Sequence, residues 1–204
     1  GVVIKSSNIK AGKLYAYNNV QDGIHVKSDT YAACYQVNIN SAFYDKLPPS
    51  SAPWDTAAAG GRYGVFIYAS GSIIGGVFID NVGSLNCPTG IRIESANNWE
   101  LGDVYIGSAV TSGTDTSVSI FATKLANHIN FGNLNSSNTK YGYVVTQNNA
   151  GGKQLQIANF ILDNNQFSQT ANAIVMRGNS YLQVGNLNIN KVDTAFVISD
   201  SSKL

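Results

Sequence analysis

Two short phrases of apolar and polar positions alternate along the chain. The first is a small residue followed by apolar, any, apolar. It occurs as Gly1-Val2-Val3-Ile4, Gly23-Ile24-His25-Val26, Gly64-Val65-Phe66-Ile67 and Gly90-Ile91-Arg92-Ile93. It returns as Ser117-Val118-Ser119-Ile120, Gly142-Tyr143-Val144-Val145, Ala173-Ile174-Val175-Met176 and Ala195-Phe196-Val197-Ile198. The second phrase reads apolar, any, apolar, Gly or Ala, Asn-like, apolar, any, apolar. Trp99 to Ile106, Leu155 to Leu162 and Leu182 to Ile189 fit it, with looser copies at Ile9 to Ala16, Ala32 to Ile39, Ser72 to Ile79 and Ile129 to Ser136. Its fourth positions Gly75, Gly102, Gly132, Ala158 and Gly185 recur at spacings of 27, 30, 26 and 27; upstream the same place holds Gly12 and Tyr35. Alternation with a period of two is the mark of a strand with one buried face. No window of useful length carries a helical period, although Ser51-Ala52-Pro53-Trp54-Asp55 could start one short turn.

Each repeat therefore holds three strand signals. A single strand cannot bury its apolar face alone, so successive units must stack as coils. The expected fold is an all-β, single-stranded parallel β-helix of about seven coils with three short strands per coil. Stacking at ~4.8 Å places the eight copies of the first strand over about 34 Å. Gly or Ala at the fourth position suits a corner that needs a positive φ or close packing. Asp103, Asn133, Asn159 and Asn186 follow that corner, and their side chains can stack and hydrogen-bond from coil to coil. Parity puts Ile91, Ile93, Leu101, Val104, Ile106, Val184 and Leu187 inside, with Arg92, Glu94, Glu100 and Tyr105 outside.

Composition narrows the function. Of 204 residues, 12% are charged and the net charge is +1. That is no basic footprint for nucleic acid. With 44% apolar residues, the chain can build a core. No apolar run reaches the ~18 residues of a membrane span, and no signal peptide opens the sequence. The 24 Asn and 20 Gly point to frequent tight turns. Cys34 and Cys87 are too few for a disulfide framework and read as two thiols, with a single disulfide as the alternative. His25 and His128 stand apart, with no Cys or His at metal-ligand spacing, so neither metal nor cofactor is expected.

The strand, Gly-Asn corner, strand phrase with its period near 27 resembles the right-handed parallel β-helix proteins, the pectin-lyase-like group, over nearly the whole chain. Within that group, the richness in Asn, Gly and Ser and the low charge most resemble the spike proteins of bacteriophage tails. The resemblance implies the right hand of the helix, a homotrimer with coils side by side, a place in the virion tail, and a bacterial surface polysaccharide as partner. Gly1 already opens a strand and the chain stops six residues after Ile198. Residues 1–204 are therefore expected to be one β-helix domain within a longer chain.

Placing the first strands in register gives two outward columns. One reads Val3, His25, Phe66, Arg92, Ser119, Val144, Val175, Val197. The other reads Lys5, Lys27, Tyr68, Glu94, Phe121, Thr146, Arg177, Ser199. Exposed aromatics beside charges suit sugar rings, so Phe66, Tyr68 and Arg92 are candidate glycan contacts. An insertion from Asn40 to Tyr63, with Tyr44, Asp45, Pro48, Pro49, Pro53, Trp54, Asp55 and Arg62, is read as a long surface loop. Trp54 is its sugar-stacking candidate. Glycoside hydrolysis needs two carboxylates. Glu94 is the candidate acid, with Asp80 or a loop aspartate as its partner, and desolvation by Phe66 and Phe121 is expected to favour its protonated form. No calcium-binding acid cluster, nucleophile elbow or phosphate loop is present in the sequence. The first expectation is a tail-spike domain that recognises a surface polysaccharide, with its depolymerisation left open. A non-catalytic structural or adhesive stalk and a free-standing lyase or hydrolase are the alternatives.

Overall fold

The computed structural model describes residues 1–17, 19, 22–28, 34–45, 62–70, 72–95, 102–112, 114–122, 128–147, 155–163, 172–199, 202 and 204. These residues contain strands and no helix. The strands are β1 (Val2–Ile4), β2 (Ile9–Tyr17), β3 (Ile24–Ser28), β4 (Cys34–Asp45), β5 (Tyr63–Ala69), β6 (Ile74–Leu85), β7 (Thr89–Ser95) and β8 (Val104–Ser112). They continue as β9 (Thr116–Ala122), β10 (Ile129–Ser137), β11 (Tyr141–Gln147), β12 (Leu155–Asp163), β13 (Asn172–Gly178), β14 (Leu182–Asn190) and β15 (Thr194–Ile198). Odd-numbered strands form one eight-stranded parallel sheet, in the order β1-β3-β5-β7-β9-β11-β13-β15. Even-numbered strands form a seven-stranded parallel sheet, β2 to β14. The chain alternates between the two sheets at every step, so the protein is a parallel β-solenoid.

Strand count departs from expectation. At three strands per coil, fifteen strands would complete only about five coils, against the seven expected. They lie instead two to a coil, because the second and third predicted strands run on as one long strand with a bend. Each even strand is nine to twelve residues long. Its pairing skips one residue near the middle, as at Gly132 between Phe131 and Asn133. Following the skip through the sheet gives the corner column Gly12, Asn40, Asp80, Gly107, Gly132, Ala158, Gly185.

Gly75 and Gly102, expected at this corner, sit one bend earlier, where Tyr35 pairs with Gly75 and a Cβ on Gly102 would lie 2.9 Å from the Gly75 Cα. The matching phrase in that coil is Val104 to Thr111, five residues further on. Both bends bring backbones of neighbouring coils into contact, so glycine appears at both and the sequence phrase fits either.

At the corner itself glycine answers close approach. A Cβ on Gly107 would lie 2.7 Å from the Asp80 carbonyl oxygen, and one on Gly185 would lie 2.7 Å from that of Ala158. Left-handed backbone is found elsewhere. Asn8, Gln36 and Gly76 adopt it just before or within the start of even strands, and Asn86, Asn138 and Lys191 adopt it where the chain returns to the odd sheet. The asparagine ladder forms in part as expected. Asn159 Nδ2 donates to Asn133 Oδ1 and Asn186 Nδ2 donates to Asn159 Oδ1, each at 2.7 Å. Asp103 lies outside it, immediately before β8.

The core lies between the sheets. Ile91, Ile93, Val104 and Ile106 are buried as parity requires, while Leu101 and Glu100 lie outside the described residues. Val184 is half-buried and Leu187 is 39% exposed. The cause is position: β14 is the edge strand of its sheet, so Leu187 lacks the cover that its column neighbour Phe160 receives. Tyr44 was expected in the surface loop. It is instead an inward residue of β4 and fully buried, because that strand runs on to Asp45. Its ring packs where a Cβ on Gly23 would fall.

This explains the glycine that opens the first-strand phrase at Gly23, Gly64, Gly90 and Gly142: it faces the far wall of the coil. Gly90 faces Thr111 in the same way. A Cβ there would lie 2.8 Å from Thr111 Cγ2 and 2.7 Å from the Ser117 carbonyl oxygen, whereas Gly12 has nothing within 4 Å. Gly90→Ala should therefore cost about 1–3 kcal/mol through overpacking. Gly12→Ala should be neutral or stabilising by up to about 1 kcal/mol. Urea unfolding of the two variants beside the parent checks the contrast.

Candidate functional site

The odd sheet displays both outward columns in the register read from sequence. Val3 pairs with His25, His25 with Phe66, Phe66 with Arg92 and Arg92 with Ser119, while Tyr68, Glu94 and Phe121 align beside them. Phe66, Tyr68, Arg92 and Glu94 thus share one face. Two-residue spacing on a strand also lets these groups bind one another. His25 stacks on Phe66 at 4.6 Å between ring centroids, Phe66 on Tyr68 at 5.0 Å, and Tyr63 tilts against Phe66 at 4.7 Å. Phe66 is left 6% exposed, so Tyr68 is the ring of this pair that keeps accessible surface.

Arg92 holds Glu94 Oε2 through Nη2 at 2.7 Å and Nε at 2.9 Å. Its Nη1 donates to Ser119 Oγ at 2.6 Å, and the guanidinium lies 5.5 Å from the Phe121 ring centroid. Asp80 lies in the other sheet, exposed at the bend of β6. Trp54 and Asp55 lie outside the described residues, as does most of the segment between β4 and β5.

Beside the aromatic stack lies a buried polar group that sequence reasoning did not single out. Asp22 precedes β3 and its side chain is 6% exposed, with Arg62 Nη2 at 3.9 Å and His25 Nδ1 at 3.6 Å from its Oδ2. Burial pushes the Asp22 carboxyl above its ordinary range, against the opposing pull of Arg62 and a backbone bond from Tyr63. Burial, helped by the nearby charges of Lys27, Arg62 and Lys5, lowers His25 to about 4. At neutral pH the imidazole is therefore uncharged, and 3.6 Å is too long for a hydrogen bond. Asp22 Oδ1 and His25 Nε2 are both buried with no hydrogen-bond partner.

The more open face belongs to the even sheet. Before the corner, its outward column reads Lys10, Asn38, Phe78, Tyr105, Asn130, Gln156, Gln183. Phe78 and Tyr105 are neighbours in this column and each is 41% exposed. They line a cleft of about 440 Å³ with Asp103, Val104, His128 and Asn130. A second cleft of about 400 Å³ continues past Tyr105 and Asn130 along Gln156 and Gln183.

Asp103 and His128 each stand one residue ahead of their strands, β8 and β10, and their side chains meet with Nδ1 and Oδ1 3.0 Å apart. Gln156 Nε2 donates to Gln183 Oε1 at 3.2 Å. Asn130 Oδ1 is buried and has no hydrogen-bond partner. Together these form a shallow groove along the solenoid axis, with two aromatic rings at one part and amides along the rest. The outward parity of Tyr105 was legible in the sequence. The phrase Ser72 to Ile79 puts Phe78 at the same outward place, but that the two rings stay open as one cleft depends on contacts between coils, which the phrase does not carry.

Among the described residues no three His, Cys, Asp or Glu side chains gather as metal ligands. Comparison with protein-family models, with curated proteins and with solved structures found no match to this chain.

The low value at His25 carries a pH consequence. The folded state binds the proton less readily than the unfolded chain, whose imidazole titrates near 6.5. The stability this contributes is present above pH 6.5 and is lost as pH falls toward about 4. Asp22, shifted upward, works in the opposite sense. His25→Phe keeps a ring against Phe66 and removes the titration, so its stability should fall less steeply than the parent's between pH 6.5 and 4. Thermal melts across that window would show it, and parallel slopes would contradict it.

Proposed function

We propose that the protein is a glycan-recognising β-solenoid and that an extended polysaccharide lies along the outer groove of the even sheet. The observation that carries this is the side-by-side exposure of Phe78 and Tyr105 in a cleft that continues into the column of Asn130, Gln156 and Gln183. Sugar rings offer apolar C–H faces to aromatic rings and hydroxyls to amides. A concave site with a few convergent polar groups is the usual form of a ligand site. A linear polymer also matches the scaffold, since equivalent positions recur at ~4.8 Å from strand to strand. Nucleic acid is disfavoured, because no Lys or Arg lines either cleft among the described residues.

The resemblance to phage tail spikes supports a bacterial surface polysaccharide as the ligand and a homotrimer in the virion tail as the working assembly, and both form part of this proposal. Cleavage by hydrolysis needs two carboxylates placed across one bond. Glu94 is held by Arg92 and Asp80 lies on the other sheet. Recognition is therefore the function placed at this groove.

Phe78→Ala and Tyr105→Ala should each weaken polysaccharide binding about tenfold, or ~1.4 kcal/mol, as loss of an aromatic anchor does elsewhere. Both side chains are surface residues, so circular dichroism should stay unchanged. Affinity electrophoresis against capsular and lipopolysaccharide preparations measures the effect. Undiminished binding by the double variant would reject this site.

A further inference from the structure

We infer that the groove selects neutral glycans over polyuronates, an inference that rests on the glycan-binding function proposed above. Its first support is charge. Among the described residues, the ionisable side chains lining the two clefts, besides the Tyr105 phenol, are Asp103 and His128. The side chain of Asp103 is 64% exposed, standing beside the two aromatic rings. A uronate unit stacked on Phe78 or Tyr105 would bring its carboxylate toward that of Asp103, with no lysine or arginine among the described residues lining the cleft to offset it. Like charges brought together at an interface reject a partner more effectively than most added contacts select one.

The second support is the sense of the hydrogen bonds. An ionised carboxylate only accepts, so the exposed Asp103 oxygens offer bonds to a ligand that supplies donors. Asn130 lines the same cleft, but its Oδ1 is enclosed by the protein, so the acceptor open to a ligand is the Asp103 carboxylate. A ligand that supplies a donor to the Asp103 carboxylate gains there, and one that supplies only another acceptor loses. Sugar hydroxyls supply donors. A carboxylate supplies none. Charge and donor sense therefore favour the same class, a hydroxyl-rich neutral polymer.

The test compares polymers that differ in charge alone. One pair is polygalacturonate and the galactan made from it by carboxyl reduction. The other is a soluble β-glucan and its product oxidised at C6 to the polyglucuronate. Binding of each to the intact protein is measured by affinity electrophoresis at low ionic strength, with Phe78→Ala as the reporter of groove occupancy.

The expected result is at least tenfold tighter binding of a neutral member than of its charged counterpart, lost in Phe78→Ala. Asp103→Asn, which removes the charge at nearly constant size, should narrow the preference, and Asp103→Lys should narrow it further or reverse it. Equal or tighter binding of the polyuronate, still lost in Phe78→Ala, overturns the inference and leaves the groove as a glycan site. Binding of no polymer, or binding indifferent to Phe78→Ala, rejects the groove itself and the inference with it.

Discussion

In-register stacking of parallel strands is the constraint on which everything else in this protein rests. Each residue paired within the interior of a sheet has its own equivalent ~4.8 Å above and below it, so a residue type is chosen for how it meets a near-copy of itself. Branched aliphatics fill the inward columns, as Ile67, Ile93 and Ile120 do in succession. Asparagine recurs where a side-chain amide can both give and take a bond along the stack. Glycine recurs where successive backbones approach too closely for a Cβ. The glycines at the heads of β3, β5, β7 and β11 follow from the same geometry in the transverse direction, since each faces a larger residue across a narrow coil.

The stacking also shapes the surfaces. A solenoid of this kind offers long flat faces rather than deep pockets, and chemistry on it is arranged in columns. On the odd sheet, alignment lets the column satisfy itself: Phe66 is enclosed by rings on both sides, and Arg92 binds Glu94 and Ser119. On the even sheet the same alignment leaves Phe78, Tyr105 and Asn130 with unused capacity. The candidate site is thus distinguished by unmet contacts, and residue type alone does not separate it from its counterpart.

That distinction marks the limit of what the sequence discloses. The odd columns were legible to the residue, from Val3 through Val197, because a small residue followed by apolar, any, apolar has only one way to sit with its apolar pair inside. The even strands were harder. Two bends per coil both call for glycine, so Gly102 imitated Gly107 and shifted the frame by five residues. Tyr44 was misplaced because the prolines after it drew the loop boundary too early, although Phe43 and Tyr44 continue the strand alternation. Which aromatic rings would be enclosed by neighbours, and which left open, depends on contacts between coils that no single coil's sequence contains.

The buried hydroxyls of Thr111, Ser117 and Ser136 carry a consequence for how this chain can change over time. Thr111 Oγ1 lies 2.5 Å from Ser117 Oγ and 3.2 Å from Ser136 Oγ, and Ser136 Oγ lies 2.5 Å from Ser117 Oγ. The three close a ring in which every hydroxyl can both give a proton and receive one. Replacing any one with alanine leaves the other two a single bond to share and strands at least one donor or acceptor inside the wall. Replacing all three with apolar groups of similar size strands none. The positions are therefore bound to one another as variables: lineages should keep all three hydroxyls or lose them together, with mixed sets rare. This triplet, spread over β8, β9 and β10, would then appear in descendants as one inherited character.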